Sequence, residues 1–161
     1  MGLEITREET FQSREWRAER IGWTLLALFV AAGLAGLLGA GPLSDTTRES
    51  PGGLVDVSYA RVTHFEADDS LSVRLAPDAV EQDTVTMTVA GSWLSGVDLQ
   101  GVSPQPGEER LTDDGVVYEF DVEDPGDLTV TITFRAQDVG PLTADVSVGS
   151  DTVSLTQLVL P

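Results

Sequence analysis

The chain predicts an all-β fold, an immunoglobulin-like β-sandwich of about eight strands, preceded by a single N-terminal transmembrane helix. Three observations point there: a charge-free apolar run from Ile21 to Leu43, a switch to two-residue apolar alternation after Gly53, and turn-forming clusters between the alternating runs. Residues 1–20 read as a short polar cytoplasmic helix, in which Thr6 and Glu9 have the spacing of a capping box. Residues 21–43 read as the membrane span. At about 1.5 Å per helical residue, some twenty residues cover the roughly 30 Å hydrocarbon core. Nine strongly apolar side chains within it contribute roughly −4 kcal/mol towards insertion, and no charge opposes them.

A cleaved leader fits less well. Cutting after Ala40 would leave Leu38 at the third position before the bond, and cutting after Gly41 would leave Pro42 just beyond it. Orientation follows from arginine: Arg7, Arg14, Arg17 and Arg20 precede the span, and only Arg48 and Arg61 follow closely. The N-terminus is therefore expected in the cytoplasm and the C-terminal part outside the cell membrane. Trp16 and Trp23 bracket the bilayer boundary as interface anchors, with Arg17 and Arg20 reaching headgroup phosphates. Within the span, Ala31, Ala32, Ala35, Gly36 and Gly39 give a small-residue face, with Leu26, Val30, Leu34 and Leu37 opposite. Small faces let helix backbones approach, so this face is the candidate for contact with another membrane protein or a second copy.

Pro42 stops the helix, and residues 44–53, ending Ser50-Pro51-Gly52-Gly53, read as a flexible linker. Residues 54–161 then form the sandwich. Val55, Val57 and Tyr59 make the first apolar set, Leu71, Val73 and Leu75 the second, and Val85, Met87 and Val89 the third. Val97 with Leu99 is weaker. Val116 to Val122, Leu128 to Phe134, Leu142 to Val148 and Val153 to Leu160 complete the count. Asp113-Asp114-Gly115, Asp124-Pro125-Gly126-Asp127 and Gly149-Ser150-Asp151 supply turns between runs.

The stretch Phe11-Gln12-Ser13-Arg14-Glu15-Trp16, the pair Gly22-Trp23, the exit Gly41-Pro42-Leu43-Ser44 and the late Gly140-Pro141-Leu142 resemble a group of small bacterial single-pass membrane proteins. That group has no assigned activity. The resemblance implies the architecture and no site.

Composition excludes more than it identifies. The 161 residues carry a formal charge of −18 and no lysine; beyond Pro42, five arginines face 22 carboxylates, a net of −17. Such a surface repels nucleic acid, so no nucleic-acid partner is expected. An acidic surface of this kind suits a saline habitat. A GC-rich genome would explain the missing lysine but not the charge. Without lysine there is no phosphate-binding P-loop and no Schiff-base chemistry, and without cysteine no thiol nucleophile and no disulfide.

The single histidine, His64, lacks a Gly-x-Ser-x-Gly partner turn and reads as a strand-end residue. No catalysis and no cofactor are expected. Asp121, Glu123, Asp124 and Asp127 surround a Pro-Gly turn and could offer oxygen ligands to Ca²⁺, although their spacing is not that of an EF-hand. Glu66, Asp68 and Asp69 form a weaker acidic group. Trp93, in Gly91-Ser92-Trp93-Leu94, is either a partner or glycan contact or a plug for the end of the sandwich. The expected function is a membrane-anchored extracytoplasmic accessory module that binds another membrane or envelope protein; a ligand-binding β-domain is the alternative, and a small hydrolase comes last.

Overall fold

The computed structural model describes residues 9–34, 44–81, 83–122 and 128–161. Helix α1, Glu9–Leu34, runs without a break across the Arg20–Ile21 boundary where polar sequence gives way to apolar. No helix among the described residues is long and apolar enough to cross a membrane. The reason is local: Arg17, Glu19 and Arg20 occupy its first half, and Ile21 to Leu34 covers only about 21 Å at helical rise. The remainder of the apolar run, with Ala35, Gly36 and Gly39, lies outside the described residues, as does Thr6 of the capping box.

The rest is a two-layer all-β sandwich. One sheet has five strands, β1 (Asp45–Glu49), β2 (Val55–Ala60), β4 (Asp68–Leu75), β9 (Leu128–Ala136) and β6 (Val97–Ser103), lying side by side in that order. The other has six: β3 (Val62–His64), β11 (Asp151–Leu160), β10 (Gly140–Val148), β5 (Thr84–Ala90), β8 (Gly115–Asp121) and β7 (Glu108–Thr112). Neighbours are antiparallel throughout except β3 with β11, which run parallel. All eight predicted apolar runs are strands. Their alternate side chains fill the space between the sheets: Val57, Val73, Met87, Val130 and Val146 are each 0% exposed.

Three further strands carry no such alternation, and one corrects the sequence reading. Residues 44–53 are not a flexible linker. Asp45–Glu49 pairs with Asp56–Ala60, and the Ser50-Pro51-Gly52-Gly53 cluster is the turn of that hairpin. The Ser50 N–H donates to Val55 O at 2.8 Å, the Gly53 N–H to Ser50 O at 3.0 Å, and Gly53 takes φ 75°, which glycine adopts without a Cβ clash. Ser44 and Ser50, at the two ends of β1, are both buried. Of the other turn signals, Asp113-Asp114 closes β7 on β8 and Gly149-Ser150 closes β10 on β11, while Asp124-Pro125-Gly126-Asp127 lies outside the described residues.

The unequal sheets leave one flank open. In the six-stranded sheet Glu109 and Leu111 lie opposite Tyr118 and Val116, whose side chains point into the core. Yet every residue of β7 is exposed, and a hollow lies between it and β6 of the five-stranded sheet.

Candidate functional surfaces

On α1, the Arg20 guanidinium lies 3.6 Å from the centroid of the Trp16 ring, one helical turn before it. A cation over an indole face is attracted by the ring quadrupole, so the two proposed anchors form one unit. Trp16 and Trp23 are 56% and 65% exposed, and Leu25, Leu28, Phe29 and Leu34 are equally uncovered. Arg17 is also exposed. Of the small-residue face, Ala31 is exposed and Ala32 half-buried.

Trp93 is not an exposed contact. It opens the short helix α2, Trp93–Gly96, which carries the chain from β5 to β6 across the end of the sandwich. Its ring is 1% exposed and meets Phe134 edge-on, with centroids 4.7 Å apart. The plug is the position it occupies, and a partner or sugar cannot reach the indole.

Its N–H leads to a feature that apolar patterning does not announce. Trp93 Nε1 donates to Gln157 Oε1 at 3.1 Å, and Gln157 Nε2 donates to Ala60 O at 2.9 Å and to Asp69 Oδ2 at 3.2 Å. Gln157 is 1% exposed and belongs to β11, whereas Ala60 and Asp69 belong to β2 and β4 of the other sheet. A buried amide therefore ties the layers together, with its oxygen and its nitrogen both partnered. Burial pushes the Asp69 carboxyl above the usual carboxylate range, against hydrogen bonds from the Ser70 N–H, Thr63 and Gln157 that hold it down. The signal for Gln157 is its phase: it shares the parity of Val153, Leu155 and Val159, and a polar residue at an inward position needs a polar partner.

Asp121 ends β8; Glu123, Asp124 and Asp127 lie outside the described residues. Asp68 accepts two hydrogen bonds from Arg135, Nε to Oδ1 at 2.7 Å and Nη2 to Oδ2 at 3.1 Å, which holds its carboxyl below the usual range. Glu66 is exposed with φ 59° in the turn between β3 and β4. Among the described residues no three His, Cys, Asp or Glu side chains converge as a metal site would need. His64 is exposed at the last position of β3, in register with Leu160.

The hollows are shallow and surface-bound. One of about 480 Å³ lies over Asp45, Thr47, Tyr59 and Asp69; one of about 500 Å³ lies at the open flank between Leu99, Val102, Glu109 and Tyr118. Burial raises the Tyr118 hydroxyl pKa, and the Glu109 carboxylate adds to the effect. Neither hollow gathers a nucleophile with a base.

The chain is thus an all-β, two-sheet sandwich with a helical N-terminal segment. No family model and no curated protein sequence matches it. Among solved structures it is similar to domains 4 and 5 of the S-layer protein SbsC, at 15% identity and TM-score 0.41 over 73% of this chain. The match spans about half, 54%, of that structure. It is also similar to the seventh ScaB type I cohesin of Pseudobacteroides cellulosolvens, at 10% identity and TM-score 0.42 over 62% of this chain and 85% of the cohesin. A third likeness is to the sulfur carrier protein SoxY of Chlorobium limicola, at 12% identity and TM-score 0.39, covering 84% of this chain and 99% of that one. No role passes from them to this chain.

Proposed function

We propose that this chain is a single-pass membrane protein whose acidic sandwich stands outside the cytoplasm and acts as an accessory or interaction module, without catalysis of its own. The observation that carries the reading is the charge-free run from Ile21 to Leu43 with four arginines before it and only Arg48 and Arg61 soon after it. Support comes from the uncovered apolar side chains of α1, which suit lipid or another helix better than water. It comes also from a sandwich that is fully cored without disulfides and presents mostly hydroxyl and carboxylate side chains outward. Missing lysine and cysteine remove the commonest covalent nucleophiles other than hydroxyls. Partners are the lipid bilayer and, through the small-residue face, another membrane protein or a second copy.

The test is association in membranes, with topology read in the same cells from a reporter fused after Pro161 that works only outside the cytoplasm. Gly36→Leu should reduce crosslinking or two-hybrid association, and Leu34→Ala, on the opposite face, should leave it unchanged. Reporter activity confined to the cytoplasm would overturn the orientation. Equal association of wild type and Gly36→Leu would remove the helix as the contact.

A further inference from the structure

Among the described residues of the sandwich four large apolar side chains are exposed, and three of them, Phe65 at 41%, Val139 at 56% and Leu158 at 42%, lie at one end. Backbone hydrogen bonds place that end. The Arg61 N–H donates to Ser44 O at 2.8 Å, the Leu158 N–H to Arg61 O at 2.7 Å, and the Phe65 N–H to Leu160 O at 2.7 Å; Val139 directly precedes Gly140, which is in register with Val159. This is the end at which the chain arrives from α1. Nine residues separate Leu34 from Ser44, a reach of at most about 35 Å when fully extended.

Scattered exposed apolar residues are ordinary on any protein. Here, however, polarity changes along single strands. On the outward face of β11 the order is Thr152, Ser154, Thr156 and then Leu158; on β10 it is Ser147, Asp145, Thr143 and then Pro141, with Val139 just before the strand. Both strands turn from hydroxyl and carboxylate to apolar as they approach the end where Ser44 enters. Leu158 is in register with both Pro141 and Val62, so the apolar positions are neighbours across three strands.

Resting on the membrane-anchored reading, we infer that this end of the sandwich seats on the bilayer surface, with Phe65, Val139 and Leu158 in the headgroup region. A short tether supplies the proximity, and apolar tips supply the contact. At this end the exposed carboxylates of Asp45, Glu66 and Asp138 outnumber the exposed guanidinium of Arg61, while Asp68 is neutralised by Arg135, so zwitterionic lipid suits this end better than anionic lipid.

Because the chain has no cysteine, single-cysteine variants can be labelled with a nitroxide without background. The full chain in phosphatidylcholine nanodiscs would carry the label at Phe65→Cys, Val139→Cys, Ser150→Cys at the opposite end, or Leu28→Cys in α1. Collision with oxygen, which partitions into lipid, should rise at positions 65 and 139 relative to 150, and collision with a water-soluble nickel chelate should fall. Labels at 65 and 139 as wet as the one at 150, with 28 in lipid, would overturn this seating and leave the anchor standing. A wet label at 28 would overturn the anchor and the seating with it. Labels at 65 and 139 shielded from both reagents would mean a protein surface covers this end, which also overturns lipid contact.

Discussion

Along the flank formed by β1, β2, β3 and β11, polar side chains reach from one sheet to the other, whereas along the flank formed by β6 and β7 the sheets part and leave a hollow. On the closed side, Ser50 Oγ donates to Asp151 Oδ2 at 2.7 Å, the Leu54 N–H reaches the same oxygen, and Gln157 spans from β11 to Ala60. On the open side, Leu111 stands 81% exposed at a position whose parity is inward. The difference teaches that alternation assigns a side chain to a face, and the opposite sheet decides whether that face is buried.

The largest effect should follow from cutting the buried stitch. Gln157→Ala leaves the Trp93 N–H and Ala60 O without this partner and opens a cavity between the sheets, and it should lower stability by about 3 kcal/mol in a denaturant titration. A loss below about 1 kcal/mol would mean the closed flank holds without the stitch.

The next effect is one of pH. Because the Asp69 pKa is raised in the folded state, the fold binds its proton more tightly than the unfolded chain does, so stability falls as pH rises from the ordinary value of 3.8 through the raised one. Relative to wild type, Asp69→Asn should therefore gain in melting temperature between pH 3 and pH 7, whatever its hydrogen-bond losses at a fixed pH. A difference that stays flat, or that falls with pH, would sink the assignment of burial as the dominant influence on Asp69.

The smallest effect belongs to the open flank. Leu111→Thr removes an apolar side chain that is 81% exposed and should change stability by no more than about 0.5 kcal/mol. A loss well beyond that would show that the flank is covered in solution.

Eight strands were legible because each buries alternate apolar residues, and that pattern survives in sequence as period two. The other three were silent for physical reasons. β1, Asp-Thr-Thr-Arg-Glu, has no apolar residue at all and is held by its ladder to β2 and by the buried serines at its ends. The three residues of β3 are too few to show a period, and β7 is wholly exposed. Trp93 could be narrowed to plug or contact, and burial by Phe134 and Gln157, contributed by β9 and β11, decides between them. The apolar end was present as the run Leu158-Val159-Leu160, which breaks alternation by making both faces apolar.

The direction in which β1 leaves Ser44 also sets how the domain would resist being pulled. With Ser44 held and tension applied at the far turn, Gly149-Ser150, force runs into β1 along its own axis. The five residue pairs of the β1–β2 ladder then share the load at once, in shear. Tension on Pro161, which leaves from the same end as Ser44, would instead open β11 from its last residue, one pair at a time. The same sandwich is therefore a stiff post when drawn outward and a zipper when drawn by its C-terminus.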